Sequence, residues 1–179
     1  MSVDIITIGG LPGSGTTTTC LLLAQRTGLE HVNVGMIFRT MATERGMLLN
    51  EFGAYVAAHA EVDRELDRRQ VEIARGGGVI LEGRLSGYMV VQAGLDARKI
   101  WLDAAEDVRH ERVAQRESHT LDAAREITEE RERDEKARYL DFYGFDLYDR
   151  SIYDLIIDTG TTPPEDVVQQ ILASMQLPS

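Results

Sequence analysis

The sequence predicts an α/β fold, a mainly parallel five-stranded sheet with helices packed against it. Three observations carry that prediction. Short apolar runs alternate with longer stretches of helical periodicity, which is the pattern of repeated strand-helix units. The first apolar run, VDIITI, opens directly into a glycine-rich turn and then a helix-like segment. The last run, YDLIIDT, is followed by Pro163, Pro164 and a closing helical stretch.

Taken in order, VDIITIGG reads as a buried strand ending in glycines, and Thr16 to Arg26 as a helix closed by Gly28, because glycine adopts the left-handed conformation that ends helices. LEHVNVG is a short second strand. From Met36 to Arg75 the periodicity is helical: MIFRTMATERG stops at Gly46, and the next helical stretch breaks near residue 60. GVILEGR, RKIWLDA and YDLIIDT are strands three, four and five. Two charged helices, at 105–117 and 122–140, lie between strands four and five and are joined by ESHT. Neither a repeat nor a low-complexity linker interrupts the chain, and 179 residues with 43% hydrophobic content suit one well-buried core. The expected organisation is a single domain with its core at 1–35, 76–104 and 150–179. One helical insertion falls at 36–75 and a second at 105–140, the plan of a small-molecule kinase with two moving flaps.

Thirty acidic against nineteen basic residues give a formal charge of −11. Long-range repulsion therefore opposes nucleic acid or an anionic membrane as a general partner, and any anionic substrate needs a local basic site. Only Lys99 and Lys136 are lysines, the other basic residues being arginines, and such a composition fits a salty cytoplasm where screening relieves self-repulsion. With no apolar run of about 18 residues and no basic-then-apolar leader, a cytoplasmic protein is expected, a monomer by default at this size and surface charge. Cys20, among Leu21, Leu22 and Leu23, reads as a core residue.

The turn GGLPGSGTTTT nearly matches G-x-x-x-x-G-K-[ST] from Gly10 to Thr17, with Thr16 in the lysine position. Strand, glycine turn and helix together are the context that cradles phosphate, because backbone N–H groups and a helix N-terminus converge on one anion. Thr17 or Thr18 offers a hydroxyl to Mg²⁺. The missing ammonium must be replaced from elsewhere. RHERVAQR places Arg109, Arg112 and Arg116 on one helix face, and Arg112 and Arg116 have no acid three or four positions away. Arg131 and Arg138 share a face of the second charged helix, where Asp134 and Glu135 are competing partners. Glu82 and Arg84 end strand three at the carboxyl edge, where open α/β sheets bind ligands. Glu82 suits a place behind Mg²⁺ and Arg84 a phosphate, with a mutual salt bridge as the alternative. Arg39 is a further candidate phosphate arm, with an ordinary surface arginine as the alternative. The four histidines show no metal spacing and no paired nucleophile. No general base is required for transfer between phosphates, since an ionised acceptor phosphate is already nucleophilic.

On these residues the sequence resembles the archaeal type of cytidylate kinase, within the nucleoside monophosphate kinases, over essentially its whole length. GGLPGSGTTT is similar to that family's loop, threonine at the lysine position included. HVNVGMIFR, LEGRLSGYM and KIWLDA are similar to its acceptor segment, third strand and fourth strand. Arg131, Glu132, Glu135 and Arg138 match the R-D-x-x-D-x-x-R pattern of the wider cytidylate kinase group with Glu for Asp, while Asn33 and Met36 depart from the family's usual residues. The resemblance implies a P-loop NTPase-type three-layer fold with sheet order 2-3-1-4-5, and ATP- and Mg²⁺-dependent phosphorylation of CMP and dCMP. ATP phosphates would lie on Gly10, Leu11, Pro12, Gly13, Ser14, Gly15, Thr16, Thr17 and Thr18, with Thr17 and Glu82 serving the metal. Arg39, Arg84 and Arg138 would hold the acceptor phosphate. Arg112, Arg116 and Arg131, with Arg84, would act on the transferring group, delivered by closure of the lid. Another nucleoside monophosphate as acceptor, UMP or AMP, and a nucleotide-binding protein without turnover are the alternatives.

Overall fold

The computed structural model describes residues 5–175. Its order is β1 (Ile5–Gly10), α1 (Thr16–Thr27), β2 (Glu30–Asn33), α2 (Val34–Glu44), α3 (Leu49–Ala58), α4 (Ala60–Gly76), β3 (Val79–Glu82) and α5 (Ser86–Gln92). There follow β4 (Arg98–Asp103), α6 (Glu106–Glu117), α7 (Leu121–Tyr143), β5 (Leu155–Asp158) and α8 (Pro164–Met175). The sheet is parallel throughout, in the expected order β2-β3-β1-β4-β5.

Alternation along the strands builds the layers. Ile6 and Ile8 of β1, with Ile80, Ile100, Leu102 and Ile157, meet Cys20 and Leu23 of α1 and Val167, Val168 and Ile171 of α8. Ile5, Val79 and Leu81 face the other way, onto Ala74 of α4 and Val90 of α5. Both faces of the sheet are thus covered, which is why the central strands read as continuous apolar runs. Cys20 is buried in the first of these clusters, and burial, with the nearby charge of Glu82, pushes its thiol up.

The expected break near residue 60 falls at His59, whose backbone (φ −135, ψ 81) separates α3 from α4. α7 runs three residues past its expected end, to Tyr143, where Gly144 takes up the left-handed conformation that terminates it. Helix α5 has no counterpart in the periodicity, because seven residues make too few turns to show one. Among the described residues no helix is long and apolar enough to cross a membrane.

The register positions the site. β1 lies centrally with β3 and β4 beside it, so the loop after Gly10 emerges next to the carboxyl ends of both. Glu82 pairs in register with Ile8 on one side and Asn33 on the other. Two residues before Asn33, on the same face of β2 by strand alternation, stands His31.

Candidate active site

The loop between β1 and α1 is held open by glycine. Gly13 has φ 83, and a Cβ there would stand 2.3 Å from the carbonyl oxygen of Arg109, so the loop and α6 approach backbone to backbone. Gly15, also left-handed, starts α1, whose first-turn N–H groups lack intrahelical acceptors and face the loop's anion site.

Thr16, in the lysine position, donates its hydroxyl to Glu82 Oε1 at 2.8 Å, and Thr17 donates to the same oxygen at 2.6 Å. Asn33 Nδ2 donates to Glu82 Oε2 at 2.6 Å, and His31 Nε2 lies 2.9 Å from it. Glu82 therefore carries four partners, set by the strand register. The alternative pairing of Glu82 with Arg84 does not occur: Arg84 Nη1 bonds Glu135 Oε1 of α7 at 2.7 Å.

The arginine stripe on α6 divides between two tasks. Arg109 is buried, pairs with Glu132 of α7 and donates to the carbonyls of Ala104 and Pro12. It is a strut that ties loop, α6 and α7 together, and it leaves the open face to the other two. Arg112 donates Nη1 to Gly13 O (3.2 Å) and Thr159 Oγ1 (3.1 Å), and Nη2 to Thr159 O (2.7 Å). Of its five N–H groups, two have no partner among the described residues. Its charge thus already stands at the loop, so no closure is needed to bring it there. Arg116 and Arg131 are more than half exposed, each bonded to one glutamate, Glu117 and Glu135 respectively.

A cleft of about 800 Å³ runs from the loop past Glu82 to α2. Gly10, Leu11, Pro12, Gly13, Gly15, Thr16, Thr17 and Thr18 line it, together with Arg39, Arg84, Arg112, Arg116 and Arg131. Only two acids, Glu82 and Glu117, share that lining. An acidic chain has concentrated positive charge where phosphates would sit. Arg39, exposed on α2, has no ion-pair partner among the described residues.

Two expected site residues lie outside this lining. Ser14 is buried, its carbonyl accepting from Thr159 Oγ1 at 2.8 Å, because the turn folds it inward. Arg138 sits behind the cleft wall, 4.0 Å from Asp63 of α4 and over the Tyr139 ring, because α7 presents that turn to α4. The sequence reading missed Thr159, Asp63 and the role of His31. Thr159 follows the carboxyl end of β5, the edge where ligands gather, and that position was its available signal.

The chain matches the cytidylate kinase-like family over residues 5–161. It is 52% identical over 171 residues to a cytidylate kinase of Pyrococcus furiosus, covering 96% of this chain and 88% of that one. A cytidylate kinase of Methanocaldococcus jannaschii is 51% identical over 164 residues, with 91% and 92% covered. Among solved structures, a shikimate kinase from Aquifex aeolicus superposes with a TM-score of 0.62 at 18% identity, covering 97% and 96%. That last likeness concerns the fold, that of the P-loop kinases, whereas the first two concern nearly every element that builds the cleft. The chain belongs to the cytidylate kinase-like family.

Proposed function

We propose that this protein transfers the γ-phosphoryl group of ATP to CMP, and to dCMP, giving the diphosphates. The observation that carries this is the cleft itself. It joins a phosphate loop at one end to Arg39 and Arg84 at the other, with arginines between them and no nucleophile or paired general base. An ionised acceptor phosphate needs positioning and charge neutralisation, and these side chains supply both.

Arg112 neutralises charge on the donor side, in place of the absent lysine, through its two remaining N–H groups. Arg116 and Arg131, more than half exposed and each held by a single glutamate, exchange those partners for phosphate oxygens as the lid, 105–140, closes and excludes water. Arg84 leaves Glu135 for the acceptor phosphate and Arg39 binds it from α2. The donor set also fits Mg²⁺: Thr17 directs its proton to Glu82 and so keeps oxygen lone pairs for a hard cation. Glu82, with both oxygens engaged, fixes Thr17 and does not itself need to reach the metal. Bound Mg²⁺ would offset negative charge on the donor phosphates.

A coupled assay of ADP release with CMP, dCMP, UMP and AMP in the presence of ATP and Mg²⁺ tests this. CMP and dCMP should give the highest kcat/KM. Nucleotide binding without ADP release would refute catalysis, and a preference for AMP or UMP would refute the acceptor.

A further inference from the structure

The contact between α6 and α7 carries a second polar group besides the Arg109–Glu132 pair. His110, next to Arg109 on α6, is 1% exposed, and neither Nδ1 nor Nε2 of its ring has a hydrogen-bond partner among the described residues. A neutral imidazole has one donor and one acceptor, and a charged one has two donors. Burying both nitrogens unpaired therefore costs desolvation twice. Buried polar side chains are nearly always paired, so an orphan ring marks a missing partner.

Two carboxylates stand beside it. Glu106 lies one turn earlier on the same face of α6, and Glu129 comes from α7. One ligand atom from each of the three residues lies within 4.8 Å of the other two. Both glutamates are exposed, so an ion arriving from solvent meets them before it meets the ring. Neither takes an ion-pair partner among the described residues. That is notable for Glu129, which has Arg125 and Arg133 four positions to either side, the spacing at which Arg131 does pair with Glu135 on the same helix.

We propose that Glu106, His110 and Glu129 bind a divalent transition-metal ion, Zn²⁺ by the chemistry of the donors, which clips α6 to α7. One imidazole and two carboxylates, with water in the fourth position, form an ordinary Zn²⁺ donor set. Two donors on one such ion stand about 3–3.5 Å apart, and exposed glutamate side chains can draw in to that distance. Mg²⁺ prefers oxygen ligands and keeps its waters, so the cation that serves donor phosphates does not compete. No pair of histidines signals this site in the sequence, because its third ligand comes from another helix. Arg112 and Arg116 project from α6 and Arg131 from α7 into the cleft lining, so a clip between the helices fixes the spacing of those guanidinium groups. The site is independent of which nucleotide is the acceptor.

Cys20, His31 and Glu82 also lie close together, but both Glu82 oxygens are already bonded, and a thiolate ligand there would leave its own spectroscopic signature.

The test titrates the full-length protein, stripped with a chelator and free of nucleotide, with Zn²⁺ in a calorimeter, and then with Co²⁺ for its absorption spectrum. One Zn²⁺ should bind with a Kd of about 10 µM or tighter. The melting temperature should rise by about 5 °C at a hundredfold excess over Kd. Glu129→Gln, a change on an exposed side chain, should weaken binding at least about tenfold, since losing a ligand costs no less than losing a group that orients one. His110→Leu should remove both the binding and the thermal gain. Bound Co²⁺ should show no near-ultraviolet thiolate band. Absence of saturable binding up to about 100 µM Zn²⁺ would overturn the assignment, as would undiminished binding by Glu129→Gln. A thiolate band would do so too, by assigning the ion to Cys20.

Discussion

The donor loop and the acceptor neighbourhood lie at opposite ends of one cleft, and they are finished to different degrees. Around the loop the polar contacts are largely made: Arg109 and Arg112 bond the carbonyls of Pro12 and Gly13, Thr159 bonds that of Ser14, and Glu82 has four partners. Around the acceptor end, among the described residues, Arg39 has no acid, Arg84 is held by a glutamate that the proposed acceptor phosphate would displace, and Asp63 keeps an unpartnered oxygen. The first region is preorganised, so it costs little to order when ATP arrives. The second holds its charges against one another until a nucleotide exchanges with them. Specificity belongs where bonds are missing, and catalytic power where they are already set.

Variants that break each side should separate these roles. The largest effect is expected from Gly13→Ala, which forces a Cβ onto Arg109 O at φ 83. ATP-dependent turnover should fall by roughly a hundredfold or more through misplacement of the loop, with the circular-dichroism spectrum kept. Next, Glu132→Ala leaves Arg109 buried without its partner. Loss of about 3 kcal/mol or more should appear as a melting temperature lower by roughly 10 °C, since uncompensated buried charges cost that much. Arg84→Ala should act on one end only, raising KM for CMP about tenfold while KM for ATP stays the same. A rise in both would erase the contrast.

The smallest effect concerns pH. Burial raises the carboxyls of Asp63 and Asp67 above their ordinary range, opposed by Arg138 at Asp63 and by the Tyr143 hydroxyl at Asp67. The folded protein then holds these protons longer than the unfolded chain does. Their burial is tolerated in full below about pH 4, and stability falls as pH rises through the window between unfolded and folded values. Asp67→Asn should therefore gain in melting temperature relative to the unaltered protein between about pH 4 and about pH 7. A difference that shrinks over that range would reverse the sign.

Much of this was legible in the sequence, because strands, glycine turns and arginine spacing are local signals. The break at His59 agrees with it, as does the strand order that the family resemblance implied, and Arg39, Arg84, Arg112, Arg116 and Arg131 line one cleft. What stayed hidden depends on partners distant in the chain. Arg109 shares a face with Arg112, yet Glu132, 23 residues away, claims it. Glu82 has Arg84 two positions along, yet the register gives it Asn33 and His31 instead. Asp63 is one of many acids on a charged helix, and only the packing of α7 against it leaves one oxygen alone.

The central claim is that a guanidinium held at the loop replaces the missing lysine ammonium. Single-turnover phosphoryl transfer by Arg112→Ala, at saturating ATP, Mg²⁺ and CMP, tests it most directly. The account predicts a rate at least about a hundredfold below that of the unaltered protein, with ATP affinity kept within about threefold. Transfer at the unaltered rate would contradict it.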